Sequence, residues 1–121
     1  MKVLVTGSTT WEDAAALHRE LAKLPAHTVV VTGDTPGIDA SAKELATMLG
    51  FQVQSMKKTR ADYDAHPGAG WKGLNERMMD SGIDLVLAFH ADYGKPGCAR
   101  GTQHAVALAN ERGIEVRVFL A

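Results

Sequence analysis

Gly97-Cys98-Ala99-Arg100-Gly101-Thr102 brings together the groups that hold an anion: two glycines that admit a ligand to the backbone, a guanidinium and a hydroxyl. The stretch lies between an apolar run, Ile83 to Phe89, and an amphipathic segment that ends near Gly113. A strand that feeds a glycine-rich turn and then a helix leaves backbone N–H groups unpaired and aims the positive end of the helix dipole at the turn. Phosphate is the anion that suits such a corner best. Gly97, Arg100, Gly101 and Thr102 are its candidate ligands.

Two further turns carry residues of the same kind. Gly7-Ser8-Thr9-Thr10 follows the β-branched run Lys2 to Thr6, and Gly33-Asp34-Thr35-Pro36-Gly37-Ile38-Asp39 follows Thr28 to Thr32. Gly7, Ser8 and Thr9 suit ligand contact, and the same hydroxyls suit the N-cap of the first helix. Gly33 and Gly37 open the second turn in the same way. Asp34 either turns the loop or acts as an acid or base; Asp39 either caps its helix or holds a sugar hydroxyl. These two are the candidate catalytic carboxylates. Asn75 and Arg77 reach the site from the third helix or sit on a solvated face, and Trp11 and Trp71 pack at the core or rim or form a shelf for a base. His90 and Asp92 lack a third ligand at metal-site spacing, so neither a metal nor a cofactor is expected. Cys98 reads as a small filler of its turn, with no base beside it to make it a nucleophile, and His18, His27, His66 and His104 read as surface residues.

The elements that must position these turns follow from periodicity. Ala14, Leu17, Leu21 and Leu24 recur at helical spacing ahead of Pro25. Ile38, Ala42, Leu45, Ala46 and Leu49 form a second apolar stripe, which Gly50 terminates. Phe51 to Met56 alternates as a half-exposed edge strand does, Lys57 to Gly70 is the longest irregular piece, and Trp71, Leu74 and Met78 mark a third helix. Ile83 to Phe89 is a buried strand; Val106, Leu108 and Ala109 mark the last helix, and Glu115 to Leu120 the last strand. Strands alternating with helices fold as a parallel sheet of about five strands with helices on both faces, and such sheets bind ligands at the carboxyl ends of their strands. All three turns fall on that edge.

The 121 residues fit one domain, 1–121, and their formal net charge is −1. That charge excludes a broad nucleic-acid footprint, which needs many Lys and Arg, so DNA binding is the third-ranked reading. No apolar run reaches the roughly 18 residues of a membrane span. The N-terminus has no signal-peptide pattern and the single cysteine suits a reducing compartment, which together point to the cytoplasm.

Several of these residues, in this order, resemble the SLOG superfamily and its small YspA-like branch. Val5-Thr6-Gly7-Ser8 followed by Trp11 is similar to the branch's first loop, and Gly33 to Asp39 to its second. Ala61-Asp62-Tyr63, Gly68-Ala69-Gly70 and Asn75-Glu76-Arg77-Met78 resemble its middle pattern, and Arg100-Gly101-Thr102 its phosphate turn. The resemblance implies a three-layer Rossmann-like domain, a nucleotide or nucleotide-derivative ligand and a homodimer. It also brings in relatives of the LOG phosphoribohydrolase type, hence the alternative of an N-glycosidase acting on nucleoside monophosphates, and of the DNA-processing DprA type. The branch's Arg is replaced by Thr9 in the first loop and by Pro36 in the second, and the catalytic Glu of the LOG turn falls on Ala105.

Overall fold

Val3-Leu4-Val5 and Val29-Val30-Val31 are β-branched or apolar at every position, as strands covered on both faces must be. In the computed structural model, which describes residues 1–120, they are the centre of a five-stranded sheet. The elements run β1 (Lys2–Gly7), α1 (Ala14–Leu21), β2 (Val29–Thr32), α2 (Ile38–Met48), β3 (Gln52–Ser55), α3 (Arg60–Ala65), α4 (Gly70–Asp80), β4 (Leu85–Phe89), α5 (Arg100–Glu111) and β5 (Glu115–Phe119). Every strand pair is parallel, in the order β3-β2-β1-β4-β5. The chain winds outward from β1 to β3, then crosses back to lay β4 against β1. The loops after β1 and β4 therefore leave in opposite directions, and the crevice between them is where such sheets hold ligands.

The strand period of two divides the core. Val3 and Val5 pack with Leu17 and Leu21 of α1 and with Ile38, Ala42 and Ala46 of α2. Leu4, between them, faces Leu74, Met78 and Met79 of α4 and Ala105 and Ala109 of α5. This is the three-layer Rossmann-like α/β architecture. Leu17 and Leu21 are fully buried, which stabilises the fold by about 1.5–3 kcal/mol for each such side chain. Close to the site the main chains of β1 and β4 nearly touch. A Cβ on Gly7 would lie 2.1 Å from the Phe89 carbonyl oxygen, and the Ser8 N–H donates to that same oxygen at 2.8 Å.

Several boundaries differ from the sequence expectation. The first helix stops at Leu21 rather than running to Leu24, although Leu24 still packs against the core. Its N-cap is Asp13, whose carboxylate accepts the Ala16 N–H at 3.1 Å; Ser8 and Thr9 do not cap it. The stretch from Lys57 to Gly70 is not irregular throughout, because it contains α3. Thr59 and Asp62 close a capping box at its start. No helix among the described residues is long and apolar enough to cross a membrane.

Candidate functional site

A cleft of about 500 Å³ opens at the carboxyl ends of β1, β2 and β4. Gly7 and Thr9 of the first turn, Gly33, Asp34 and Asp39 of the second, Asn75 of α4, and Arg100, Gly101 and Thr102 of α5 all line it. Three turns named from sequence thus meet at one place. Ser8, Gly37, Arg77 and Gly97 do not line it.

Each of those four has a different place. Ser8 is buried and knits the first loop, its hydroxyl 3.0 Å from that of Thr10 and its carbonyl accepting the Ile38 N–H at 3.0 Å. Gly37 has φ +75°, and a Cβ there would lie 2.3 Å from the Ser8 carbonyl oxygen, so this glycine lets the second loop press against the first. Arg77 turns away to α3, where Nε and an Nη donate to the Asp62 carboxylate at 2.8 and 2.7 Å and to the Lys57 carbonyl at 2.6 Å. Gly97 sits in the exposed part of the loop before α5, with φ +73°.

Three helices present their first turns to the cleft without a side-chain cap: α2 behind Gly37, α4 behind Ala69 and α5 behind Ala99. At α2 the acidic Asp39 answers the dipole; the first turns of α4 and α5 hold no acid. Two unanswered positive helix ends therefore face one space. Ala99, at the α5 N-cap, is left-handed with φ 53°, a conformation that L-residues rarely adopt and that directs the following N–H groups. Arg60, Arg77, Arg112 and Arg117 are each held in an ion pair. Arg100 instead lies over the indole of Trp71, with its guanidinium carbon 5.8 Å from the ring centroid.

The two carboxylates differ. Burial works to raise the Asp34 carboxyl, but Lys58 outweighs it, with Nζ at 2.6 Å and the backbone N–H at 3.2 Å, and holds it below its ordinary value. Burial dominates at Asp39 and pushes its carboxyl up, against the Thr35 hydroxyl and N–H that donate to Oδ2 at 2.8 and 3.3 Å. Asn75 ties α4 to α5, its amide donating to the Gly101 carbonyl at 3.1 Å and lying 3.2 Å from His104 Nδ1. His104 is thus part of the helix junction rather than a free surface residue, and His66 pairs with Glu76. Ala105, three residues after Thr102, is fully buried in the core. Among the described residues no three His, Cys, Asp or Glu side chains gather as a metal site requires.

Thr35, Lys58, Tyr63, Gly70 and His90 also line the cleft, although the sequence nominates none of them as a ligand: Tyr63 and Gly70 enter only through the family resemblance and His90 only as a rejected metal ligand, while Trp71 stays between packing and shelf. Thr59-Arg60-Ala61-Asp62 carries a capping-box signal that places Tyr63 on a helix. The pairing of Lys58 with Asp34 has no local signal, since it joins two loops across β2 and β3.

A family model described as "YspA, cpYpsA-related SLOG family" matches residues 1–66. The chain belongs to this family. The match ends within the stretch containing α3, so the cleft's α4 and α5 walls lie beyond it. Among solved structures the chain is similar in fold to DNA processing protein A (DprA) from Streptococcus pneumoniae, with a TM-score of 0.52 and 17% sequence identity. The likeness covers 98% of this chain and 59% of that one, so the chain spans about three fifths of DprA's length. No curated protein matches it.

Proposed function

We propose that this SLOG-family domain binds a nucleotide or nucleotide derivative in the cleft, with its phosphate at the N-terminus of α5. The observation that carries this reading is the convergence of the uncapped first turns of α4 and α5 with the guanidinium of Arg100, which joins no ion pair among the described residues. Helix-end N–H groups and a charge-assisted fork form an anion site without a metal. Asp39, on the opposite side of the sheet's switch point, is an acceptor suited to the ligand's sugar hydroxyls. Calorimetric titration with adenosine 5′-monophosphate, ADP-ribose and inorganic phosphate tests the reading. Binding that weakens about ten-fold or more in Arg100→Gln supports it, as loss of a charged hydrogen bond predicts. No binding of any of the three at millimolar concentration overturns it.

A second reading, cleavage of the N-glycosidic bond of a nucleoside monophosphate, draws on the environment of Asp39. A desolvated carboxyl raised above its ordinary value suits general acid–base work, whereas Asp34 is committed to Lys58. Chromatographic detection of free base, abolished by Asp39→Ala, supports catalysis; intact nucleotide after prolonged incubation leaves binding alone.

A further inference from the structure

Two aromatic side chains line the cleft, and the structure treats them differently. Trp71 already has partners. Arg100 lies 5.8 Å from its ring centroid, Lys72 Nζ lies 5.5 Å away, and His104 meets it edge-on at 5.6 Å with an interplanar angle of 86°. Its place in the site is to hold the Arg100 guanidinium.

Tyr63 packs against backbone. A Cβ built on Gly70 would lie 2.7 to 2.8 Å from Cε1, Cδ1 and Cζ of the Tyr63 ring. Near-equal distances to three consecutive ring atoms put Gly70 over the face of the ring rather than at its edge. Only glycine allows that bed. Tyr63 lines the cleft and remains 47% exposed. The ring is also held in place from behind. Asp62, its neighbour, is fixed by the paired bonds from Arg77 and by the Thr59 N–H at 2.8 Å, so α3 presents Tyr63 from an anchored helix. A large, half-exposed aromatic ring, backed on one face by Gly70, stands at the same cleft as the α4 and α5 helix ends.

We infer that the face of Tyr63 opposite Gly70 is the platform on which the aromatic base of the ligand stacks, so that the cleft takes nucleotides in preference to bare sugar phosphates. This rests on the phosphate reading above and adds the base subsite to it. Stacking on an aromatic side chain is tolerant of base identity, because every base has a π-face. The preference is therefore for a base as such, and Trp71 is not its shelf.

Calorimetry with two probes, adenosine 5′-monophosphate and ribose 5-phosphate, tests the platform. The wild-type chain binds the nucleotide about ten-fold or more tightly than the sugar phosphate, in line with the worth of one base–aromatic stack. Tyr63→Leu, which keeps an apolar side chain on the Gly70 bed, lowers nucleotide affinity to the level of ribose 5-phosphate and leaves the latter unchanged; Tyr63→Phe retains the preference. Equal wild-type affinity for the two probes, or a preference that survives in Tyr63→Leu, overturns the platform while the phosphate site stands. Failure of both probes to bind the wild-type chain removes the phosphate site and the platform together.

Discussion

At the scale of single residues, the cleft's carboxylates are separated by their surroundings more than by their chemistry. Asp34 and Asp39 belong to one turn, yet Lys58 holds the first ionised while burial works against ionisation of the second. The raised carboxyl of Asp39 has a consequence for stability. Its folded state binds the proton more tightly than the unfolded state does, so its contribution favours folding in acid and is lost as pH rises from the unfolded value towards the folded one. Asp39→Asn therefore gains stability relative to wild type at pH 7 and loses that gain at pH 3. Urea denaturation at the two pH values checks it; a variant equally destabilised at both would mean that the Thr35 hydrogen bonds, not the charge, decide this position. If Asp39 also accepts the ligand's hydroxyls, the more stable variant binds nucleotide less tightly, a trade expected where a site holds an unfavourable charge in place.

At the scale of elements, α3 exists because of its ends and its tether. Arg60-Ala61-Asp62-Tyr63-Asp64-Ala65 has no apolar stripe, and six residues are too few for a helix to persist unaided. The Thr59 capping box starts it, and the bidentate bridge from Arg77 pins Asp62, which is 3% exposed, to α4. Gly73 makes room, since a Cβ there would lie 2.7 Å from the Asp62 backbone. The hydrogen bonds from Arg77 prevail over burial and hold Asp62 well below the usual carboxylate range. Here the sign is opposite to that of Asp39. The stability is fully present above the unfolded value, about pH 4, and disappears as pH falls towards the depressed folded value. Arg77→Met, which strands the buried carboxylate, costs roughly 3–5 kcal/mol at neutral pH, by chemical denaturation, and the cost shrinks progressively as pH falls below about 4. The same variant bears on Arg77 of α4 as a candidate ligand. A structural Arg77 changes stability and shifts nucleotide affinity only as far as Tyr63 is loosened, so ribose 5-phosphate binding holds; an Arg77 that touched phosphate would lose both probes alike.

At the scale of the whole molecule, what the sequence disclosed and what it withheld have separate physical causes. Strands buried on both faces announce themselves as unbroken apolar runs, and the Gly7 and Gly33 turns mark the carboxyl ends of β1 and β2; these features belong to short stretches of chain, whereas ten residues separate β4 from Arg100, which with Gly101 and Thr102 opens α5 instead of forming a turn at the strand's end. The direction of Arg77, the cation at Lys58 and the glycine bed under Tyr63 arise only when distant segments meet, and no spacing records them. Net charge is also a whole-chain property, with 13 Lys and Arg set against 14 Asp and Glu. That balance supplies no net positive charge to draw a polyanion to the molecule. On the proposed site, one phosphate at the α5 terminus would release about one counterion's worth of salt dependence, a slope near −0.7 in log affinity against log salt for a single-stranded ligand. Fluorescence anisotropy with a labelled oligothymidylate from 50 to 300 mM salt therefore gives a shallow line, with affinity close to that of a mononucleotide. A slope steeper than about −3, which needs four or more phosphates engaged together, would move the ligand from the cleft to an extended nucleic-acid track.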